Sequence, residues 1–170
     1  IELPLWDELY STVDLKKLTN LKSMGFAYVD FEFPDETRFP CLPIRSNGGL
    51  IFPLKGSSNC STPELFLAQQ MGAKLKVRDG FILPTDSSVQ PFAEFIKECT
   101  HNRKSHPKGS IFELFWKEIG NSTYGKTAQG LREKRCFDTK TADVKLLPES
   151  EISNPFFSAY VTSFVRAALG

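Results

Sequence analysis

Residues 110–126 read SIFELFWKEIGNSTYGK, and this stretch has the periodicity of an amphipathic helix. Apolar residues at i, i+3, i+4 and i+7 predict one apolar face, made of Phe112, Phe115, Trp116 and Ile119. On the opposite side, Lys117, Asn121 and Tyr124 follow each other at i, i+4 and i+7. A cation, an amide and a phenol therefore line up along about 10 Å of helix.

The three polar residue types suit a nucleoside triphosphate. A lysine ammonium neutralises phosphate oxygens, a tyrosine ring offers an apolar wall to a base, and an asparagine hydrogen-bonds between the two. Gly120 and Gly125 weaken the helix but let another backbone approach closely. The alternative is an ordinary amphipathic helix with a solvated polar face, because the K-x-x-x-N spacing is common.

The segments before this helix predict a small antiparallel sheet. Residues 25–33 alternate between two faces and favour a strand. Short extended pieces are expected at 41–44 and 50–54, between prolines and glycines. Residues 75–83 predict a hairpin that turns at Asp79-Gly80.

Two further helices are expected, so the predicted fold class is α+β. Ser61-Thr62-Pro63-Glu64 has the spacing of a capping box, which predicts a helix through Gln70 that Gly72 closes. A second helix is expected from Ser88 or Pro91 to about Thr100. The apolar side of that second helix would consist of Phe92, Phe95, Ile96 and Cys99.

Composition places the chain among ordinary soluble globular proteins. Its 170 residues are 41% hydrophobic and 24% charged, which is enough to build a core. The longest apolar runs are far short of the roughly 20 residues that cross a bilayer, so no membrane partner is expected. The first residue is Ile1 and not Met, and we expect the chain to be an excised fragment.

The cysteines predict neither a disulfide framework nor a structural zinc site. They lie far apart and form no C-x-x-C pair, at Cys41, Cys60, Cys99 and Cys136. We expect reduced, buried thiols in a cytosolic protein. Cys99 lies near His101 and His106, but in a basic loop such residues more often serve solubility or phosphate contact than metal binding.

The net charge of +1 hides an uneven distribution. The region from Lys97 to Arg135 carries nine Lys and Arg against four Glu, whereas the rest of the chain has a charge of −4. A local positive field on an otherwise acidic protein suits a polyanion such as nucleic acid or nucleotide phosphate. The alternative is a set of solvated surface lysines.

The segment Lys117-x-x-x-Asn121-Ser122-x-Tyr124-Gly125 matches the K-x-x-x-N-S-x-Y-G signature of family B DNA polymerases residue for residue. The chain resembles the protein-primed branch of that family, found in phages, linear plasmids and organelles, over most of its length. The resemblance implies four parts: a strand-rich insertion next to the palm (1–87), a fingers helix pair (88–131), a short basic hairpin (132–152) and the start of the returning palm segment (153–170).

The same resemblance implies roles for individual residues. Lys117 would contact the triphosphate, while Asn121 and Tyr124 would line the pocket around the sugar and base of the nascent pair. DNA contacts would come from Ser122, Gly125 and Lys126, and Lys104 resembles a second phosphate-binding lysine. Glu113 departs from the family, because its position is often basic there. A carboxylate would repel the triphosphate unless it faces an Arg or Lys.

The implied activity is DNA-directed DNA polymerisation from dNTPs on a primer-template. It would use Mg²⁺ held by carboxylates in D-x-x-S-L-Y-P-like and D-T-D-like motifs. The sequence contains neither motif, since Asp7-Glu8-Leu9-Tyr10-Ser11 lacks the register. We therefore expect the fragment to bind no Mg²⁺ and to be inactive alone. The expected location is cytoplasmic or organellar rather than secreted, and a terminal protein and a second copy of the fragment are further candidate partners.

Two other functions stay open. One is a non-catalytic nucleic-acid-binding module whose basic region, residues 97–135, grips phosphate without discriminating bases. Such a module would bind in a length-dependent way that weakens steeply with salt. The other is a helical scaffold that binds only protein through the polar face of the predicted helix.

Overall fold

The computed structural model describes residues 2–170, and these residues form two compact units. The first unit comprises Glu2–Val89 and Tyr160–Gly170, and the second comprises Gln90–Ala159. Both helices and antiparallel strands are present, so the α+β class is confirmed. No helix within residues 2–170 has the length and apolar character that crossing a membrane requires.

The first unit is built on a four-stranded antiparallel sheet. The strands of the whole unit are β1 (Leu3–Pro4), β2 (Tyr10–Ser11), β3 (Met24–Glu32), β4 (Ile44–Ser46), β5 (Gly49–Ile51), β6 (Lys55–Ser61), β7 (Lys74–Leu83) and β8 (Thr85–Asp86). Its short helices are α1 (Leu15–Leu18) and α2 (Thr62–Gln70). The main sheet has the order β2-β7-β3-β6, while β1 pairs with β8 and β4 pairs with β5.

Strand β3 lies at the centre of the sheet and supplies its core face. Ala27, Val29 and Phe31 alternate along the strand and are buried, as the predicted strand at 25–33 requires. Leu65 and Ala68 of α2 belong to the same buried cluster. The predicted strand is therefore confirmed, and one face of it carries the core of this unit.

The predicted hairpin at 75–83 is wrong, because these residues form the single continuous strand β7. β7 pairs with β3 on both sides of the expected turn, and Arg78 is the extra residue of a β-bulge. Gly80 serves packing rather than turning: a Cβ there would come within 2.9 Å of the carbonyl oxygen of Thr12. The Asp79-Gly80 pair therefore follows a β-bulge within one strand and does not form a turn.

The short extended pieces were predicted only in part. Ile44 begins β4, but residues 41–43 are not in a strand, and β5 ends at Ile51 rather than at Leu54. Strand β6 is not predictable from its own residues, since KGSSNCS has no large apolar residue and is rich in turn formers. Pairing with β3 over seven residues makes this segment a strand.

Helix α2 begins with the predicted capping box. Ser61 and Glu64 form both bonds of the box, and Gly72 follows the helix with a φ of +80°. Glu64 is fully buried, and its carboxylate also accepts hydrogen bonds from Ser163 Oγ at 2.7 Å and Arg166 Nε at 2.6 Å. Ser163 and Arg166 belong to the part of α5 (Pro155–Leu169) that lies in the first unit, so this carboxylate joins α2 to that part of α5.

All four cysteines are free thiols. Cys41, Cys60 and Cys99 are buried, as expected, whereas Cys136 is half-buried. Burial, reinforced by the charge of Glu64, raises the pKa of the Cys41 thiol to about 12. This thiol therefore stays protonated and unreactive at neutral pH.

The second unit consists of a helical hairpin and a β-hairpin. Its elements are α3 (Ala93–Lys104), α4 (Ile111–Thr127), β9 (Arg135–Asp138), β10 (Asp143–Leu146) and the first turn of α5. α3 and α4 pack against each other in antiparallel order, as the contacts of Arg103 with Glu113 and of Cys99 with Gly120 show. β9 and β10 pair antiparallel.

Half of the residues in the apolar faces predicted for the two long helices are exposed to solvent. Of the four residues assigned to α3 only Cys99 is buried, while Phe95 and Ile96 are exposed. On α4, Phe112 and Phe115 are 60% and 55% exposed. Two of the contacts between the helices involve small or polar residues, since Cys99 lies against Gly120 and Arg103 pairs with Glu113. α3 also runs one turn beyond its predicted end at Thr100.

Candidate functional site

The N-terminus of α4 is capped by the side chain of the residue that directly precedes it. Ser110 is the N-cap residue, and its hydroxyl oxygen accepts a hydrogen bond from the Glu113 backbone N–H at 3.2 Å. Gly109 precedes the cap with a φ of +83°, a conformation in which side chains are strained. The chain can therefore reverse sharply between α3 and α4, and α4 then continues for 17 residues.

The side of α4 that faces α3 includes Glu113 and Gly120, and Thr127 lies on the same side two turns beyond Gly120. Glu113 and Thr127 are 7% and 4% exposed. Gly120 lies against α3, where a Cβ would come 3.8 Å from the Cβ of Cys99. These three positions hold no large apolar residue, which explains why hydrophobic periodicity did not identify them.

The predicted triphosphate row lies on an exposed side of α4. Lys117, Asn121 and Tyr124 are all exposed, and their i, i+4, i+7 spacing on a regular helix places them on one side. Within residues 2–170, the side chains of Lys117 and Asn121 form no hydrogen bond or ion pair with another side chain. The ammonium and the amide therefore remain available to an external ligand.

The carboxylate of Glu113 is turned away from solvent. Its Oε1 accepts from Arg103 Nε at 2.6 Å, and its Oε2 accepts from the Gly109 backbone N–H at 3.2 Å. The hydrogen bond from Arg103, followed by that from Gly109, lowers the pKa of Glu113 below its ordinary value. Glu113 thus faces an arginine, which is the condition under which a carboxylate at this position does not oppose a triphosphate.

The residues predicted to contact DNA lie on another side of α4. Ser122, Gly125 and Lys126 are exposed and centre about 130° around the helix from the Lys117 row, at 100° per residue. Ser122 Oγ donates to the carbonyl oxygen of Ile119 at 2.9 Å, and Lys126 Nζ donates to Gln129 Oε1 at 2.8 Å. The structure therefore does not bring the two predicted groups onto one face.

The packing of the described residues does not require a glycine at position 125. A Cβ at this position would meet nothing within 4 Å. Glycine in a helix interior costs about 1 kcal/mol relative to alanine, so the chain carries this cost without a packing gain of its own.

Lys104 lies at the end of the neighbouring helix. It is the last residue of α3, is exposed, and follows Arg103 directly. Because Arg103 is tied to Glu113, Lys104 is the adjacent cation that stays free of an ion pair among the described residues. Both predicted phosphate-binding lysines thus belong to the helical hairpin.

The far end of α4 is held by a segment that the sequence did not identify. The carbonyl oxygens of Lys126 and Gln129 accept from Ser150 Oγ and Ser153 Oγ, each at 2.6 Å. The carbonyl oxygen of Thr127 accepts from the Asn154 backbone N–H at 2.9 Å. These bonds give carbonyls at and just beyond the end of α4 hydrogen-bond donors from outside the helix. No local sequence pattern signals them, because the partners are more than 20 residues apart.

The histidines of the basic loop do not gather into a metal site. The ring of His106 stacks on Phe112 with centroids 5.2 Å apart, and Cys99 is buried against α4. Among residues 2–170, no three His, Cys, Asp or Glu side chains are placed to hold a metal ion.

Comparison with known proteins places the chain in one family. The family model described as DNA polymerase type B, organellar and viral, matches residues 2–168. The primer-independent DNA polymerase PolB of Escherichia coli is 46% identical over 156 residues, which cover 86% of this chain and 18% of that protein. The chain thus spans less than a fifth of the length of this curated relative.

Solved structures share the fold. Phi29 DNA polymerase complexed with primer-template DNA and incoming nucleotide substrates superposes with a TM-score of 0.59 at 17% identity, covering 94% of this chain and 30% of that chain. Its orthorhombic crystal form gives a TM-score of 0.56 at 17% identity, over 87% of this chain and 28% of that one. At this identity the likeness concerns the fold alone.

Proposed function

Because the chain belongs to the organellar and viral family of type B DNA polymerases, we propose that it is the nucleotide-binding portion of a DNA-directed DNA polymerase. The full-length polymerase would extend a primer on a DNA template from dNTPs. The observation that carries this proposal is the exposed row of Lys117, Asn121 and Tyr124 on α4, next to a carboxylate that is turned inward.

In this proposal α4 is the fingers helix that receives the incoming dNTP. Phosphoryl transfer depends mainly on positioning and on electrostatic stabilisation of the phosphate charge. The Lys117 ammonium binds the triphosphate oxygens, and Lys104 adds a second cation at the neighbouring helix end. Asn121 hydrogen-bonds near the sugar, and the Tyr124 ring borders the base of the nascent pair.

The second exposed side of α4 would face the template. Gly125 is central to this part of the proposal, since nothing in the chain's own packing needs a glycine there. A missing Cβ lets a DNA backbone or base come close to the helix. Ser122 and Lys126 flank this position and would add a hydroxyl and a cation to the contact.

The chain itself does not fit a Mg²⁺ site, because its described carboxylates form no cluster of the required kind. Divalent ions in polymerases supply Lewis-acid stabilisation and activate the primer hydroxyl. We infer that the carboxylates for Mg²⁺ belong to other parts of the polymerase, and that the present chain is inactive alone.

The four-part division stays a prediction, with residues 1–87 as the insertion, 88–131 as the fingers pair, 132–152 as the basic hairpin and 153–170 as the start of a palm segment. The β9–β10 hairpin and helix α5 agree with its last two parts. Primer-template DNA and dNTPs are the proposed ligands, in line with the complexes of Phi29 DNA polymerase. A terminal protein as primer stays a prediction of the resemblance. The Escherichia coli relative is named as a primer-independent polymerase.

The test is primer extension by the full-length polymerase with Lys117→Ala and, as matched control, Lys108→Ala. Lys108 is an exposed lysine of the same basic region that lies in the loop before α4. The proposal predicts a raised KM for dNTP with Lys117→Ala only. If both variants weaken DNA binding equally, with a strong salt dependence and no effect on dNTP, the basic region acts as a general nucleic-acid-binding module instead.

A further inference from the structure

Glu113 differs from every other charged residue of α4 in its burial. Its residue exposure is 7%, whereas Lys117, Glu118 and Lys126 are exposed. A carboxylate loses favourable hydration when it is buried, and it needs compensating partners. Both oxygens of Glu113 have such partners, so its burial is a built feature of the helical hairpin.

The partners of Glu113 come from both sides of the connection between the helices. Arg103 lies in the last turn of α3, and Gly109 lies in the loop just before the N-cap residue Ser110. The carboxylate therefore joins three elements: the end of α3, the loop, and the first turn of α4. We name this set of contacts, made by Arg103, Gly109 and Glu113, the loop clamp.

The loop clamp lies beside both lysines that the proposed function assigns to the triphosphate. Lys104 follows Arg103 in the chain, and Lys117 is one helical turn beyond Glu113. The first turn of α4 determines the rotation of the helix about its axis, and that rotation determines where the Lys117 ammonium projects. A fixed clamp thus holds the two cations in one arrangement before the nucleotide arrives.

We propose that Glu113 and Arg103 are positioning residues for the incoming nucleotide, which hold Lys104 and Lys117 in place without touching the triphosphate themselves. This inference rests on the proposed function of Lys117. Arg103 is also a cation next to Lys104, but its Nε–H donates to Glu113, and the proposal assigns Arg103 this contact instead of one with the triphosphate.

The electrostatics agree with this arrangement. The positive charge of Lys117 contributes to the lowered pKa of Glu113, after the larger effects of the Arg103 and Gly109 hydrogen bonds. Glu113 thus remains ionised at neutral pH and keeps Arg103 bound. The carboxylate and the Lys117 ammonium attract each other, which favours conformations of Lys117 close to the first turn of α4.

The test compares Glu113→Gln, Arg103→Gln and the double variant in the full-length polymerase, with Glu118→Gln as matched control. Glutamine keeps the size of Glu113 and an acceptor for Gly109 but removes the charge that holds Arg103. We expect KM for dNTP to rise about fivefold or more while kcat changes less than twofold, because positioning of a ground-state contact acts on binding. The double variant should raise KM no further than either single variant.

Thermal unfolding of the same variants separates positioning from stability. An unchanged KM in Glu113→Gln, with or without a lower Tm, overturns the inference, and so does an equal rise in KM for Glu118→Gln. Lys117→Ala is measured alongside. If Lys117→Ala leaves KM unchanged, the proposed function fails; if Lys117→Ala raises KM and Glu113→Gln does not, only the positioning role fails.

Discussion

The carboxylate of Glu64 accepts a 2.6 Å hydrogen bond from Nε of Arg166, which lies 102 residues further along the chain. Glu64 is fully buried and Arg166 is three-quarters buried. Removing one partner of a buried pair leaves an uncompensated charge, and we expect Arg166→Met to lower the free energy of unfolding by about 3 kcal/mol. Urea unfolding of the chain measures this change.

Arg78→Met is the matched control for that experiment. Arg78 pairs with Asp30 on an exposed side of the sheet, where an ion pair contributes about 1 kcal/mol or less. Similar losses for Arg78→Met and Arg166→Met would show that burial of the Glu64 pair has no particular importance for stability.

Substitution of Gly125 separates the stability of α4 from its function. Gly125→Ala adds a good helix former where a Cβ meets nothing, so the chain should gain about 1 kcal/mol in unfolding free energy. If DNA approaches this position, the same variant should weaken primer-template binding by the full-length polymerase. Gly120→Ala, whose Cβ would make only an ordinary contact with Cys99, should leave DNA binding intact. Intact DNA binding in Gly125→Ala would argue against the template contact.

Two glycines with left-handed backbone differ in their surroundings. Gly109 and Gly130 have φ values of +83° and +78°. A Cβ at Gly109 meets nothing within 4 Å, whereas one at Gly130 would lie 2.5 Å from the Cα of Glu149. Gly109→Ala should therefore cost about 1 kcal/mol from backbone strain alone, and Gly130→Ala distinctly more. Chemical denaturation of both variants measures the difference, and equal losses would contradict the close approach to Glu149.

The loop clamp predicts a pH dependence. The folded-state pKa of Glu113 lies below the ordinary value of 4.5, mainly because of the hydrogen bond from Arg103. Its stabilising contribution is therefore present above pH 4.5 and is lost as the pH falls through the lowered pKa. We expect Glu113→Gln to reduce the difference in Tm between pH 7 and the acidic range. A pH profile identical to that of the unsubstituted chain would mean that Glu113 ionises alike in the folded and unfolded states.

Local patterns predicted the elements that depend on local interactions. Strand β3 follows from alternation, and α2 follows from its capping box at Ser61 and Glu64. The motif on α4 also predicted a common side for Lys117, Asn121 and Tyr124, because helical spacing alone fixes that relationship.

Features that depend on distant partners were not predictable from the sequence. β7 is continuous because β3 pairs with it across the bulge at Arg78, and no local signal distinguishes that bulge from a turn. The contact side of α4 is set by α3, so Phe112 and Phe115 stay exposed despite their periodicity. The ion pair of Arg103 with Glu113 depends on the conformation of the loop that connects α3 and α4.

Binding of the incoming nucleotide by Lys117 is tested most directly by single-turnover incorporation in the full-length polymerase on primer-template DNA. The dependence of rate on dNTP concentration yields the Kd for dNTP separately from the maximal rate. Because a hydrogen bond to a charged group contributes about 1.5–3 kcal/mol, we predict that Lys117→Ala raises this Kd about 10- to 100-fold. A Kd equal to that of the unsubstituted enzyme, with DNA binding intact, would contradict the assignment of α4 as the nucleotide-binding helix.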